Sequence, residues 1–351
     1  SLYIHIPFCE KICDYCDFTK LQYFHKFAVD YLKTLKKELF EIPLTHKFKT
    51  IFIGGGTPTS LEDELFEDLL NIVSKYLDIN GEFTVESNPE SLSETKIKLM
   101  AKYGINRVSI GVESTNDKIL KAINRNHTFE QVKEAVSTLK KYDINNINVD
   151  LILGLPNVSL SLLEKDIKNI LLLGVKHISC YGLTVHEHTV FHTKNIEPPL
   201  DDELRKMYDL VESILLDNNF IHYEVSNWSK DGYMCKHNLT YWKDEEYYAV
   251  GLGASGYVDG IRFTNTRNLT QYLKDYSRKI EFEEVTSEED ETYFIMLNLR
   301  TIYGLDLAKF KNIFNKDLYL EKKNEIEEMI SGGFLKKEGN VLIPTYEGMM
   351  T

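Results

Sequence analysis

The feature that most restricts the fold of this 351-residue chain is a repeated alternation, across its first half, of short β-branched or aromatic runs with amphipathic stretches. The runs at 3–6, 50–53, 82–86, 107–110, 147–152 and 177–181 have strand composition, and the segments 25–40, 61–77, 92–103, 129–142 and 160–173 carry helical periodicity. Thr128, with Gln131 three residues on, supplies a capping-box signature for the helix over 129–142. Strand–helix alternation favours parallel pairing, because a parallel return needs a crossover long enough to contain a helix. Six such strands can form an open doubly wound sheet or a partly closed barrel, and periodicity alone does not choose between them.

After Glu197-Pro198-Pro199 the rhythm changes. A long helix is expected over 201–218, with Asp201 and Asp202 favourably placed at its positive end. An aromatic, glycine-punctuated stretch covers 222–263, and further helices are expected at 288–300, 306–314 and 320–330. Two short strands flank Glu338-Gly339-Asn340, which gives the end of the chain the look of a winged-helix module. Three regions are therefore expected: 1–200, a connecting region 201–284, and a winged-helix-like 285–351.

The net charge of −13 argues against nucleic acid as the main partner, since phosphate binding needs clustered cations. No apolar run is long enough to span a bilayer and no signal peptide opens the chain, so a cytoplasmic protein without stable membrane insertion is expected. Ser1 stands where Met is expected and the chain stops at Gly348-Met349-Met350-Thr351, which suggests trimmed termini. Of five cysteines, three fall between positions 9 and 16, while Cys180 and Cys235 stand alone and read as structural thiols. That clustering points to metal binding in a reducing compartment, not to a disulfide framework.

The strongest motif is Cys9-x-x-x-Cys13-x-x-Cys16, directly after the strand Tyr3-Ile4-His5-Ile6. Thiolates bind iron–sulfur clusters or zinc, and three on one loop can wrap a compact site. Three ligands on a four-iron cube leave one iron open, and a reactive centre needs an open position. A zinc knuckle completed by His5 or Asp17 is the alternative, although the spacing is not the usual zinc one.

This motif resembles that of the radical S-adenosylmethionine (SAM) superfamily, whose open iron binds the amino and carboxylate groups of SAM. Tyr3-Ile4-His5-Ile6-Pro7-Phe8-Cys9, with Asp14-Tyr15-Cys16-Asp17-Phe18, is similar to the oxygen-independent coproporphyrinogen III oxidase family, and the resemblance runs from Tyr3 to about Gly348. It implies an α/β fold: an incomplete parallel (β/α)6 TIM-like barrel with a helical, winged-helix-like C-terminal region. Ligands in such folds sit at the C-terminal ends of the strands. Gly54-Gly55-Gly56-Thr57-Pro58 follows the second strand there, and its glycines allow close approach to the backbone. By resemblance Tyr3, Gly55, Gly56, Thr57, Glu86, Arg125 and Asp150 match positions that contact SAM. Glu113 stands where the family usually has Gln, so a donor-and-acceptor amide becomes an acceptor-only carboxylate and that contact is open.

Two departures bear on the subfamily. Oxidases of the family carry a fourth cysteine two residues after the third, where this chain has Phe18, and they have an N-terminal extension that this chain lacks. In addition, His237-Asn238-Leu239-Thr240-Tyr241-Trp242 matches the His-Asn-x-x-Tyr-Trp motif of the family's heme-chaperone branch. The resemblance then implies a carrier that binds heme or a porphyrin, a [4Fe–4S] cluster and SAM, and delivers heme to an acceptor protein. The alternative is an enzyme that decarboxylates coproporphyrinogen III through a 5′-deoxyadenosyl radical. His237 reads either as a heme ligand or as a satisfied core histidine, with Cys235 a second heme candidate. Tyr241 and Trp242 suit a porphyrin face or an ordinary core. His186-Glu187-His188 follows the sixth strand, where the family usually has Glu-Pro-Gly, and invites a metal reading.

Overall fold

Strict period-two patterning decides how the first half of the chain packs. In the computed structural model, which describes residues 1–351, the strands are β1 (Leu2–Ile6), β2 (Phe48–Gly55), β3 (Leu77–Ser87), β4 (Arg107–Glu113), β5 (Asn146–Leu153) and β6 (His177–Gly182). Successive strand side chains point to opposite faces. One set, including Ile4, Ile53, Val85, Ile110, Val149 and Ile178, is buried in a single apolar core. The intervening set, including Glu86, Ser109, Asn148, Asp150 and Ser179, lines a cavity on the other face. Register aligns the inner set across the sheet, pairing Glu86 with Ser109, Ser109 with Asn148 and Asp150 with Ser179.

Three further strands, β7 (Ile221–Glu224), β8 (Asn227–Ser229) and β9 (Tyr248–Val250), complete a nine-stranded sheet of order β9-β1-β2-β3-β4-β5-β6-β8-β7. The run from β1 to β6 is sequential and parallel. A doubly wound sheet would reverse its order at an inner strand. The monotone order is that of a barrel, and β9 and β7 remain as unjoined edges, so the barrel is incomplete. β7, β8 and β9 carry no strand signature in the sequence, because runs of three or four residues hold too few turns of alternation to register.

The crossover helices are α1 (His25–Phe40), α2 (Asp63–Val73), α3 (Glu94–Lys102), α4 (Asp117–Ala122), α5 (Phe129–Lys141) and α6 (Leu160–Leu172). Along α1, Ala28, Tyr31, Leu35 and Leu39 recur at helical spacing and are buried. Such a stripe contributes about 1.5–3 kcal/mol for each large side chain buried, against about 1 kcal/mol for a good N-cap. Packing therefore dominates and capping sets the boundary. At α5 the capping box is complete: Thr128 Oγ1 accepts from the Gln131 amide while the Gln131 side chain accepts from the Thr128 amide. At α3 the Ser93 hydroxyl accepts from the Lys96 amide as a simple N-cap, which starts that helix two residues later than position 92.

Two helices differ more widely from their expected extents. α2 ends at Val73, and the chain passes through a single 3-10 turn at Ser74–Tyr76 into β3. The helix expected at 320–330 is two pieces, Leu318–Glu321 and Lys323–Ser331, broken at Lys322. Beyond the barrel, Ser255–Val258, Ile261–Asn265 and Lys279–Glu284 form an antiparallel sheet. The last part of the chain packs helices on a three-stranded sheet of Leu305–Asp306, Val341–Pro344 and Leu335–Glu338, around a small core that includes Phe294, Phe310 and Leu342. No helix is long and apolar enough to cross a membrane.

Candidate functional site

The loop after β1 carries the three cysteines to the C-terminal mouth of the barrel. It is pinned from the far side of the mouth: the Asp14 amide donates to Ile123 O, Asn124 Nδ2 donates to Ile12 O at 3.0 Å, and Lys194 Nζ pairs with Asp14 at 2.6 Å. Cys9 is buried, and Cys13 and Cys16 are partly exposed. All three border one cavity of about 430 Å³. Burial pushes the Cys9 thiol up to about 11 and the Cys16 thiol up to about 12. Thr57 Oγ1 lies 3.6 Å from Cys9 Sγ and Arg125 Nη1 lies 3.5 Å from Cys13 Sγ, so both sulfurs have donors that favour a thiolate.

Gly55, Gly56, Thr57, Glu86, Glu113, Arg125 and Asp150 line the same cavity. The glycine turn is needed for steric reasons. Gly55 has φ of +116°, and a Cβ there would stand 2.6 Å from the His5 ring; one on Gly56 would stand 2.8 Å from the Pro7–Phe8 backbone. Gly55 N donates to Glu86 Oε2 at 2.9 Å, which clasps β2 to β3 at the cavity floor. Glu113 closes β4 with φ of +64°, in register with a bulge against β5. Its backbone turns there, and its side chain meets Arg125 Nη2 at 3.7 Å. Arg125 also donates to Asn88 Oδ1 at 3.0 Å and to Gly111 O, while its buried Nε has no partner.

Electrostatically the cavity is over-supplied with acid. Burial pushes Glu86 up to about 7, with Asp150 adding to the rise, and pushes Glu113 up to about 7 although Arg125 opposes it. Burial likewise raises Asp150, against hydrogen bonds from Ser109, Ser179 and Asn148. A cationic group entering the cavity would relieve all three, since an opposite charge within a few ångströms favours the ionised carboxylate.

These observations fit a cluster with SAM beside it. The donor set is three thiols on one loop, which on a four-iron cube leaves one iron open. His5 is unsuited to complete a zinc knuckle: its Nδ1 bonds Tyr3 OH at 3.0 Å and its Nε2 bonds Thr19 O at 2.7 Å. Asp17 is paired with His186 Nε2 at 3.2 Å. SAM is a sulfonium that also carries an ammonium, a carboxylate and ribose hydroxyls, and the cavity offers it both carboxylates and the Arg125 guanidinium.

Two expected site residues lie elsewhere. Tyr3 lines an adjoining outer hollow and not the cysteine cavity. His237 is 1% exposed in the short helix Lys236–Trp242, with Nδ1 bonded to Thr50 Oγ1 at 2.7 Å, Nε2 bonded to Tyr241 OH at 2.8 Å, and its ring stacked on Phe52. That helix is held by Glu82, which accepts from the amides of Lys236 and His237, so the motif plugs the N-terminal end of the barrel. Both ring nitrogens are taken, which is the satisfied-core arrangement and not that of a free ligand. Cys235 is fully buried with its thiol pushed up to about 12, and Cys180 belongs to the apolar core. Of the motif's aromatics, Tyr241 borders the outer hollow and Trp242 borders neither cavity.

Several lining residues had not been anticipated: Arg107, Ser109, Asn148, Ser179 and Tyr181. They are the polar members of otherwise apolar strands, and inward period-two placement was the signal available for them. Asn148 ties this layer together, donating to Ser109 and Asp150 and accepting from Ser179, with His177 Nδ1 2.6 Å away.

Comparison with known proteins agrees with this geometry. Residues 3–170 match the model of the Radical SAM superfamily. A protein of Lactococcus lactis subsp. lactis named heme chaperone HemW is 38% identical across 99% of this chain and 94% of its own length. The chain belongs to the HemW family of radical SAM proteins. A Bacillus subtilis protein of the same name is 34% identical over 100% of this chain and 96% of its own. The solved Escherichia coli coproporphyrinogen III oxidase HemN, described as a radical SAM enzyme, superposes with a TM-score of 0.87 over 100% of this chain and 87% of its own, at 18% identity. The shared fold is thus the partial barrel with its C-terminal region.

Proposed function

We propose that this protein is a heme carrier that binds a [4Fe–4S] cluster on Cys9, Cys13 and Cys16, holds SAM in the adjoining cavity and delivers heme to an acceptor protein. The observation that carries this reading is the likeness, along essentially the whole chain, to relatives named heme chaperones. In this reading the Gly55-Gly56-Thr57 turn lets the bound molecule approach the backbone. Glu86 and Asp150 accept hydrogen bonds from its ammonium or hydroxyl groups, and Arg125 faces its carboxylate. Glu113 contributes an acceptor only, beside Arg125. When bound, the cluster supplies an open iron position and one-electron chemistry.

The second reading is an oxidative decarboxylase of coproporphyrinogen III, favoured by the fold it shares with HemN. Phe18 opposes it: this residue lines the cavity and stands at the sequence position where, by resemblance, the oxidases carry a fourth cysteine. The two readings separate in one experiment. The anaerobically reconstituted protein is incubated with coproporphyrinogen III, SAM and a reductant, and in parallel is loaded with hemin and mixed with apomyoglobin. The carrier reading expects no protoporphyrinogen and transfer of heme to the apoprotein. Protoporphyrinogen formed over several turnovers would replace it with the oxidase.

A further inference from the structure

Beside the cysteine cavity lies an outer hollow of about 520 Å³, and the two share the wall formed by Asp17, Phe18 and His186. Three tyrosines, Tyr3, Tyr241 and Tyr247, give it flat surfaces, and Phe18 is 66% exposed at the shared wall. Its charge is unusual for a chain of net charge −13. Asp17 is the one carboxylate among its 12 lining residues, and it is engaged by His186. Arg267 is exposed in the lining with no carboxylate partner, so its guanidinium is available to an anion in the hollow. His188 is likewise exposed in the lining and, unlike His186, has no ion-pair partner.

A hollow with aromatic faces, an unpaired guanidinium and a free imidazole suits a planar, apolar-faced anion that contains a metal. The volume lies within the usual range for small-molecule sites. We infer that the outer hollow is the heme site, with His188 as the axial ligand of the iron, Arg267 paired with a porphyrin carboxylate, and Phe18 against the macrocycle edge. This rests on the heme-carrier reading and moves the site away from His237. Ligation by His237 would break two buried hydrogen bonds at the plugged end of the barrel, whereas His188 has none to give up. The cysteine cavity is a poor alternative, because Glu86, Glu113 and Asp150 would face the porphyrin carboxylates. Placed in the hollow, heme would lie one side chain away from the cluster loop, across Phe18.

The test is a titration of the full-length, cluster-loaded protein with hemin and with hemin dimethyl ester, read by the Soret difference spectrum. His188→Ala, Arg267→Gln and His237→Gln are compared with wild type, and near-ultraviolet circular dichroism checks that each variant is folded. His188→Ala is expected to weaken hemin binding about tenfold or more and to move the Soret band toward that of free hemin. Arg267→Gln is expected to weaken hemin about two- to fivefold, the scale of an exposed ion pair, and to leave the dimethyl ester unaffected. His237→Gln is expected to keep the wild-type band. A folded His188→Ala that keeps wild-type affinity and Soret position overturns the site while the carrier reading stands. Wild-type protein that takes up no hemin overturns the carrier reading and the site together.

Discussion

Replacing Gly55 with alanine tests the floor of the cysteine cavity. Gly55 has φ of +116°, in a region that side chains other than glycine rarely adopt, at a cost of about 1–3 kcal/mol. The added Cβ would also stand 2.6, 2.7 and 2.8 Å from three atoms of the His5 ring. That ring cannot swing away freely, because it is held by Tyr3 OH at 3.0 Å and Thr19 O at 2.7 Å. Losing those two bonds adds about 1–3 kcal/mol at the usual net value of a hydrogen bond. Gly55→Ala should therefore destabilise by about 4 kcal/mol, which lowers Tm by about 5 °C for a chain of this size. Gly104→Ala is the control, since Gly104 has φ of +81° and open space within 4 Å, leaving strain alone at about 1 kcal/mol. In a His5→Ala background the cost of Gly55→Ala should fall toward that of Gly104→Ala, a coupling of about 1–3 kcal/mol. Denaturant unfolding followed by circular dichroism measures all the variants. Equal costs at the two glycines, or no coupling to His5, would refute the steric account of this turn.

Two further outcomes follow from the buried acids. Glu86 and Glu113 each titrate at about 7, and the ionised forms attract a sulfonium, so SAM affinity should rise between pH 6 and 8 as they lose their protons, by up to about tenfold per linked group per pH unit; equilibrium dialysis across that range reads it, and a flat profile would exclude them as contacts. Burial raises Glu224 from 4.5 to about 7, so the folded state holds its proton more tightly than the unfolded state does; its favourable contribution is complete below pH 4.5 and is lost as pH rises through 7. Glu224→Gln should abolish that loss, worth up to about 3 kcal/mol, and make stability flatter between pH 5 and 8; an unchanged slope would show that Glu224 is ionised at no cost.

The sequence disclosed the barrel strands and the cysteine loop because both are written in dense, local signals. Alternation such as Leu2-Tyr3-Ile4-His5-Ile6 repeats in six strands, and each repeat separates a helix-facing from a lumen-facing set. The same patterning held Ser109, Asn148 and Ser179, but a lone polar residue in a strand says little until register stacks it against its neighbours. His237 was ambiguous for the opposite reason. Its partners Thr50 and Tyr241 make it a satisfied core residue, and Thr50 is 187 positions away, so no local pattern could show the bond. Glu113 stood out in the sequence only as a carboxylate where the family usually has Gln; its contact with Arg125 and its positive φ depend on the bulge between β4 and β5 and have no signature in the sequence. The outer hollow draws on residues from 3 to 267, brought together only by the fold.

The central claim is that Cys9, Cys13 and Cys16 hold a four-iron cluster with one iron open to SAM. It is tested most directly by iron and acid-labile sulfide analysis with electron paramagnetic resonance on the anaerobically reconstituted, reduced protein, with and without SAM. The account predicts about four irons and four sulfides per chain, and a spectrum that changes when SAM is added. It also predicts loss of both in Cys9→Ser, Cys13→Ser and Cys16→Ser but not in Cys180→Ser. A single bound metal ion, a cluster that survives those three substitutions, or a spectrum indifferent to SAM would contradict it.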